Sequence, residues 1–195
     1  MRTHAPPSVY VDRNAFMVMI LAAVETFKRE CLGYLYGQRL TGKRDYYSIS
    51  FALPIQLATN RKNSGVEQSL GSLTRLMDLM GSSKIVFPLI GDFHSHPSWD
   101  KHHRLPELSV PDIEDMKTHK RLLSIIIGIS PRKRSTYLWQ RQKNGGLFGS
   151  IGKYNIHINV SRLIQNNDGE QIEQILRLRA DSAVRALNRM FGPAN

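Results

Sequence analysis

The chain has 195 residues, of which 41% are hydrophobic and 22% are charged. This balance is typical of a globular protein with one sizeable core and excludes a low-complexity chain. The single cysteine, Cys31, excludes an internal disulfide framework and favours a reducing compartment, so a cytoplasmic location is expected. The net charge of +11 suits an acidic partner or nucleic acid, although a solvated basic surface without a partner explains it equally well.

The first predicted element is a helix over residues 13–29. Its apolar residues recur at three- and four-residue spacing, and Asp12 or Asn14 can cap its start. The apolar run at 15–24 is too short to cross a bilayer. Charged residues follow this run at 25–30 and continue the helical pattern, which disfavours a cleaved signal segment. Together, the short run and these charges predict no contact with a membrane.

The next part of the chain alternates between extended and helical patterns. Residues 31–40 and 46–57 are predicted to form a strand pair. Apolar spacing predicts a second helix over 64–81. A strand is then predicted over 85–93, where Pro88 requires a bulge, an edge position or a late start because proline cannot donate a ladder hydrogen bond.

The C-terminal half completes an α/β pattern. Residues 97–108 are expected to form a long surface loop, followed by a short helix that starts at Ser109. Three more strands of the same sheet are predicted over residues 122–129, 136–142 and 156–160. An amphipathic helix is predicted over 170–191.

The expected organisation is a main domain over residues 1–165, built as a mixed central sheet flanked by helices, and a C-terminal helical segment over 166–195. The soft junction between them is the sequence Gln-Asn-Asn-Asp-Gly at 165–169. We expect the C-terminal helix to pack on the domain's own core, with pairing to a neighbouring molecule as the alternative.

Three potential metal ligands lie within nineteen positions, in the segments G-D-F-H-S-H-P and S-V-P-D. Residues i and i+2 of an extended chain point the same way, so His94 and His96 can present both imidazoles to one point. Asp112 falls in the first turn of a helix that begins near Ser109 and can reach the same point. Two histidines and one carboxylate leave a fourth tetrahedral position open, as in catalytic zinc sites. A helix capping box explains Ser-x-x-Asp without any metal.

A second pattern lies upstream, where Glu30 to Gly37 read E-x-x-G-x-L-x-G. Together with His-Ser-His-Pro and Ser-x-x-Asp, this pattern resembles the JAMM motif of the MPN-plus zinc metalloproteases. The segment Phe-Ala-Leu-Pro at 51–54 and the segment at 90–97, which reads I-G-D-F-H-S-H-P, also resemble strands of the MPN domain. The resemblance covers roughly residues 10–165 and implies an MPN fold, which is cytidine-deaminase-like.

The resemblance implies one Zn²⁺ per chain, held by His94, His96 and Asp112. It further implies Glu30 as general acid/base, preferred to Glu25, and Ser109 as a hydrogen-bond donor to the oxyanion. The implied reaction is hydrolysis of peptide or isopeptide bonds after the tail of ubiquitin or a ubiquitin-like protein.

One spacing departs from the family's usual pattern. Fifteen residues separate His96 from Asp112, more than the family usually has, and the excess falls within the 97–108 loop. Loop insertions cost little when the ends are fixed, so convergence of the ligands is still expected. His102 and His103 in that loop are expected to be solvated.

Two other classes of function remain open at this stage. One is an MPN domain that binds partners without catalysis. The other is a nucleic-acid-associated zinc protein, which the net charge suggests but which the lack of aromatic residues among the basic clusters disfavours.

Overall fold

The computed structural model describes residues 6–42, 45–55, 58–62, 65–68, 71, 74–76, 78–79, 88–99, 106–133 and 135–192. In these parts of the chain the strands are β1 (Ser8–Val11), β2 (Leu32–Leu40), β3 (Tyr46–Pro54), β4 (Ala58–Lys62), β5 (Gly65–Gln68), β6 (Leu89–Pro97), β7 (Leu123–Pro131), β8 (Gln140–Arg141), β9 (Leu147–Ile151), β10 (Tyr154–Gln165), β11 (Gln171–Ile175) and β12 (Arg177–Arg179). The longer helices are α1 (Arg13–Glu25), α2 (Val110–Thr118) and α3 (Asp181–Phe191). Residues 71, 74–76 and 78–79 are also helical.

Ten of the strands form one mixed sheet, which confirms the predicted α/β class. Its order is β12-β1-β3-β2-β6-β7-β10-β9-β8, and β11 pairs with the second half of β10. The β1–β12, β1–β3 and β6–β7 pairs are parallel and the other pairs are antiparallel. β6 is therefore an interior strand, held by β2 on one side and β7 on the other.

The main core lies between one face of this sheet and helices α1 and α3. Phe16, Met19 and Ile20 of α1 are fully buried in it, and Leu187 of α3 lies in the same cluster. Phe93 of β6 points into this core and is fully buried. Because side chains alternate along a strand, the residues that flank Phe93 face the opposite side of the sheet.

Helix α1 begins as predicted and ends early. The Asp12 carboxylate accepts a hydrogen bond from the Asn14 N–H at 2.8 Å and caps the first turn. The helix stops at Glu25 instead of continuing to residue 29, because Lys28 takes a left-handed conformation with φ of 76°. The chain then turns, and the Arg29 N–H donates to the Thr26 carbonyl. Glu30 therefore lies on the extended approach to β2, outside the helix.

The predicted helix over 64–81 is wrong at its start. Residues 65–68 form β5, which pairs with β4 in a separate two-stranded sheet. A strand of four residues is too short to show the two-residue alternation of a strand. Its residues also fit the helical spacing of the segment that follows, which is why the sequence predicts a helix there. The predicted strand over 85–93 begins at Leu89, directly after Pro88, while residues 81–87 lie outside the described residues.

The C-terminal helix prediction is wrong over residues 170–180. Residues 166–169 form a tight hairpin turn, in which the Asn166 side chain accepts hydrogen bonds from the Asp168 and Glu170 N–H groups. Gly169 has a φ of 82°, which suits glycine. β11 returns along β10 and β12 pairs with β1, so this stretch belongs to the main sheet. Its isoleucine and leucine spacing fits a strand as well as a helix.

Helix α3 is shorter than predicted but packs on the domain's own core, as expected. The Asn188 side chain accepts from the Trp139 N–H at 2.6 Å and donates to the Trp139 carbonyl at 3.0 Å. These bonds fix the 136–139 segment outside the strand ladder, so only Gln140–Arg141 of the predicted 136–142 strand pairs as a strand. No helix in the described parts of the chain is long and apolar enough to cross a membrane.

Candidate metal centre

The two predicted histidine ligands lie side by side on β6. His94 and His96 are buried, and their ring centroids are 4.9 Å apart. The backbone of His94 is paired with Leu32 of β2 and with Ile126 of β7. An interior strand paired on both sides leaves little freedom to its backbone, so both imidazoles are held on the face opposite the main core.

Asp112 reaches the histidines from the first turn of α2. Its Oδ2 lies 3.4 Å from His94 Nε2 and 3.6 Å from His96 Nε2. Ser109 caps the helix, and its N–H and hydroxyl donate to the same Oδ2 at 2.7 and 2.6 Å. Asp112 is therefore both the capping-box residue and a potential metal ligand, two interpretations that the sequence left as alternatives.

The two separations from Asp112 fit a tetrahedral metal ion. The three donor atoms lie within 4.8 Å of one another. Bonds of about 2.0–2.1 Å at tetrahedral angles place neighbouring ligand atoms about 3.3–3.4 Å apart, which is close to both measured distances from Asp112 Oδ2. His94 Nε2 is buried without a hydrogen-bond partner among the described residues. This group could therefore hold a metal ion.

His94 and Asp112 shift one another's pKa in the metal-free chain. Burial lowers the pKa of His94, but the carboxylates of Asp112 and Asp92 outweigh burial and raise it to about 10. Burial raises the pKa of Asp112, but its close contacts with His94 and His96 and its hydrogen bond from Ser109 outweigh burial and lower it. At neutral pH the site therefore holds a protonated His94 beside an ionised Asp112.

Metal binding at pH 7 is expected to release the His94 proton, because an imidazole nitrogen must be deprotonated to bind a metal. A folded-state pKa of about 10 keeps that proton bound across the neutral range. Apparent Zn²⁺ affinity should therefore rise with pH, by about tenfold per unit if one proton is released. Calorimetric titrations at pH 7 in two buffers of different ionisation enthalpy measure this release. A binding enthalpy that is the same in both buffers would contradict it.

Glu30 is buried, and the strand register indicates that it lies near the histidine pair. Leu32 lies opposite His94 in the β2–β6 ladder, so continuing that register places Glu30 opposite His96. The Cys31 N–H donates to Ser95 Oγ at 2.8 Å, and the Ser95 N–H donates to the Cys31 carbonyl at 3.2 Å. These two bonds keep the Glu30 segment against β6. Glu25, the competing glutamate, is exposed at the end of α1.

Asp92 was missed by the sequence analysis. It is buried two residues before His94, on the same face of β6. Its Oδ1 lies 3.7 Å from His94 Nδ1 and accepts from the Ser124 hydroxyl at 2.6 Å, and its Oδ2 lies 3.0 Å from Arg121 Nε. The i, i+2 spacing that paired the histidines also applies to Asp92 and could have identified it.

Two other expectations concern the loop between the ligands. Residues 100–105, which include His102 and His103, lie outside the described residues, so their predicted exposure stays a prediction. At the C-terminal end of the loop, Pro106 is buried, and its carbonyl accepts from the Asn159 side chain at 2.8 Å. That bond fixes the chain shortly before Ser109 and so helps to bring Asp112 to the histidines despite the long spacing.

Comparisons with known proteins give no family assignment. No model of a known protein family matches the chain, and no curated protein matches it significantly. The resemblance to the JAMM proteases therefore rests on the motif residues alone. The arrangement of His94, His96 and Asp112 is independent of that resemblance, because it is read from the structure.

Proposed function

We propose that this protein is a zinc-dependent metallopeptidase of the JAMM type. The observation that carries the proposal is the convergence of the His94, His96 and Asp112 donor atoms within 4.8 Å of one another, with the buried Glu30 nearby in the strand register. The two imidazoles and the carboxylate would hold one zinc ion. Three protein ligands are the number found in catalytic zinc sites, whereas structural sites have four.

Zinc bound there would act as a Lewis acid and would lower the pKa of a coordinated water to about 7. Glu30 would take the proton of the attacking water and return it to the leaving amine. The burial of Glu30, together with the strand register that continues toward His96, supports this role.

Ser109 is the proposed donor to the oxyanion that forms during attack. Its hydroxyl donates to Asp112 Oδ2, the oxygen that also faces both histidines. Donation to substrate requires the hydroxyl to rotate away from that oxygen. Its N–H continues to hold the carboxylate at 2.7 Å, so the ligand keeps one hydrogen bond when the hydroxyl turns.

The proposed substrates are peptide or isopeptide bonds after the C-terminal tail of ubiquitin or a ubiquitin-like protein. This substrate class follows from the resemblance. An extended tail can be bound by main-chain hydrogen bonds beside a sheet, and the net charge of +11 favours an acidic partner.

The proposal is tested by zinc content and hydrolysis together. Wild type is expected to hold about one zinc per chain and to cleave a reporter fused to the tail of a ubiquitin-like protein. His96→Ala and Asp112→Ala should lose both zinc and cleavage. Asp168→Ala is the control, because Asp168 is an exposed carboxylate in the 166–169 turn, remote from the proposed ligands. A zinc-loaded wild type that cleaves no such fusion would favour a binding scaffold instead.

A further inference from the structure

An ionic cluster adjoins the proposed metal ligands, with Asp92 and Arg121 buried and Asp115 half-exposed at its edge. It consists of Asp92 on β6, Arg121 on the α2–β7 connection and Asp115 on α2. Arg121 Nε lies 3.0 Å from Asp92 Oδ2 and 3.3 Å from Asp115 Oδ2, and the Arg121 side chain is only 10% exposed. Its guanidinium also lies over the Tyr34 ring, 5.1 Å from the centroid. The cluster has no role in the mechanism proposed above.

We infer that Asp92 is a positioning residue that turns His94 Nε2 toward the metal, and that Arg121 holds both Asp92 and helix α2 in the required arrangement. The inference rests on the proposed function, because it concerns the same metal site. It extends that function by assigning two residues that contact neither zinc nor substrate.

The orientation argument depends on the two nitrogens of one ring. His94 Nε2 faces Asp112 at 3.4 Å, whereas His94 Nδ1 faces Asp92 Oδ1 at 3.7 Å. A metal on Nε2 leaves the proton on Nδ1, where the Asp92 carboxylate attracts it. Such carboxylate–histidine–metal arrangements fix the ring's tautomer and orientation and raise its basicity as a ligand. The Ser124 hydroxyl, donating at 2.6 Å, holds the same carboxylate oxygen in place.

The second part of the argument concerns how strand and helix are joined. Two ligands lie on β6, and the third, Asp112, lies on α2. Arg121 contacts Asp92, two residues before His94, and Asp115, three residues after Asp112. It therefore ties together the two elements that must converge for the ligand set to exist.

Local backbone structure explains why Arg121 occupies this position. Lys120 has a φ of 51°, which reverses the chain at the end of α2. The Arg121 N–H then donates to the Met116 carbonyl, and the Leu122 N–H donates to the Ile90 carbonyl. The contact with Asp92 is ionic, since Arg121 Nε and Nη1 have no hydrogen-bond partner among the described residues. A buried cation of this kind requires its carboxylate partner.

The test measures metal affinity and does not depend on peptidase activity. Zinc affinity of the purified full chain is measured by competition with a chromophoric chelator, and the Co²⁺-loaded protein is measured by its visible absorption spectrum. Asp92→Asn is expected to raise the dissociation constant for zinc by about 10- to 100-fold and to alter the Co²⁺ spectrum. Arg121→Met is also expected to weaken zinc binding. Arg121→Lys should keep much of the wild-type zinc affinity, because lysine keeps the positive charge.

Matched variants separate positioning from folding. Asp92→Asn alone leaves Arg121 buried without its main carboxylate, so the double variant Asp92→Asn/Arg121→Met removes both charges and keeps the interior neutral. Circular dichroism of the metal-free proteins checks that each variant is folded. Arg39→Met, which removes an exposed arginine from its ion pair with Asp45 on another part of the sheet, should leave zinc affinity unchanged.

The outcomes distinguish this inference from the proposed function. Wild-type zinc affinity and an unchanged Co²⁺ spectrum in the folded double variant would overturn the inference alone. A wild type that binds zinc tightly, loses affinity in these variants and hydrolyses nothing would overturn only the peptidase proposal. A wild type that binds neither metal would overturn both.

Discussion

Glu30→Gln is expected to lower hydrolysis by about 100- to 10,000-fold, which is the usual contribution of a general acid/base, while zinc stays bound. Glutamine has nearly the same shape but cannot accept the proton of the attacking water. Zinc should stay bound because Glu30 is not among the three residues whose donor atoms lie together, which are His94, His96 and Asp112. Initial rates on a ubiquitin-like fusion and zinc content per chain, measured on the same preparation, give both quantities.

Glu25→Gln is the control for this experiment. Glu25 is exposed at the end of α1, five residues before Glu30 in the chain, and its substitution should change neither rate nor zinc content. If Glu30→Gln retained wild-type activity, the proton transfer would have to be assigned to a different group. Loss of zinc in Glu30→Gln would instead make Glu30 a ligand.

The second large effect is expected for Gly37→Ala, which should lower the free energy of unfolding by about 3 kcal/mol, at the upper end of the range for overpacked sites. An added Cβ at Gly37 would lie 2.0 Å from the Ser48 carbonyl oxygen and 3.0 Å from Ile49 Cα. These are backbone atoms of β3, so no rotamer change relieves the clash. The β2–β3 register already shifts between Tyr36 and Gly37, where the chain has little room.

Urea denaturation of the metal-free protein measures this effect without a contribution from metal binding. Gly42→Ala is the matched control, because an added Cβ there meets nothing within 4 Å, and its effect should be within about 0.5 kcal/mol. Equal stabilities of the two variants would show that β3 shifts to accommodate the methyl group.

The glycines of the E-x-x-G-x-L-x-G pattern thus have a packing explanation. An added Cβ at Gly33 would lie 2.1 Å from the buried Phe93 ring, and one at Gly37 would meet β3. Both glycines let β2 approach its neighbours closely. At Gly33 this close approach of β2 to β6 supports the register that puts Glu30 near the histidines, whereas Gly37 allows β2 to pack on β3.

Local features of the site could be predicted because short-range rules decide them. The i, i+2 spacing on an extended chain accounts for the shared direction of His94 and His96. Ser109 was identified as the start of a helix from its capping pattern, and Asp112 as a first-turn residue from the same pattern. Each inference uses fewer than five neighbouring residues, and each agrees with the structure.

Other elements could not be predicted, since their patterns fit two structures equally well. Residues 171–179 have an apolar spacing that suits a helix, yet they pair with β10 and β1. The hairpin turn at 166–169, with Gly169 at positive φ, decides between these structures, together with the partners that the strands find elsewhere in the chain. Strand pairing is a non-local property, and apolar spacing alone does not report it.

The sequence by itself identified the candidate site residues: two histidines on one strand, an aspartate at a helix start and a glutamate before a glycine-rich strand. Only the tertiary structure decided that they meet. Asp112 reaches the two histidines although fifteen residues separate it from His96, and the register of β2 on β6, continued beyond Leu32, places Glu30 near His96. The Arg121 contacts with Asp92 and Asp115 likewise exist only after strand and helix have packed. The physical reason is that these distances depend on backbone pairing and core packing between segments remote in sequence.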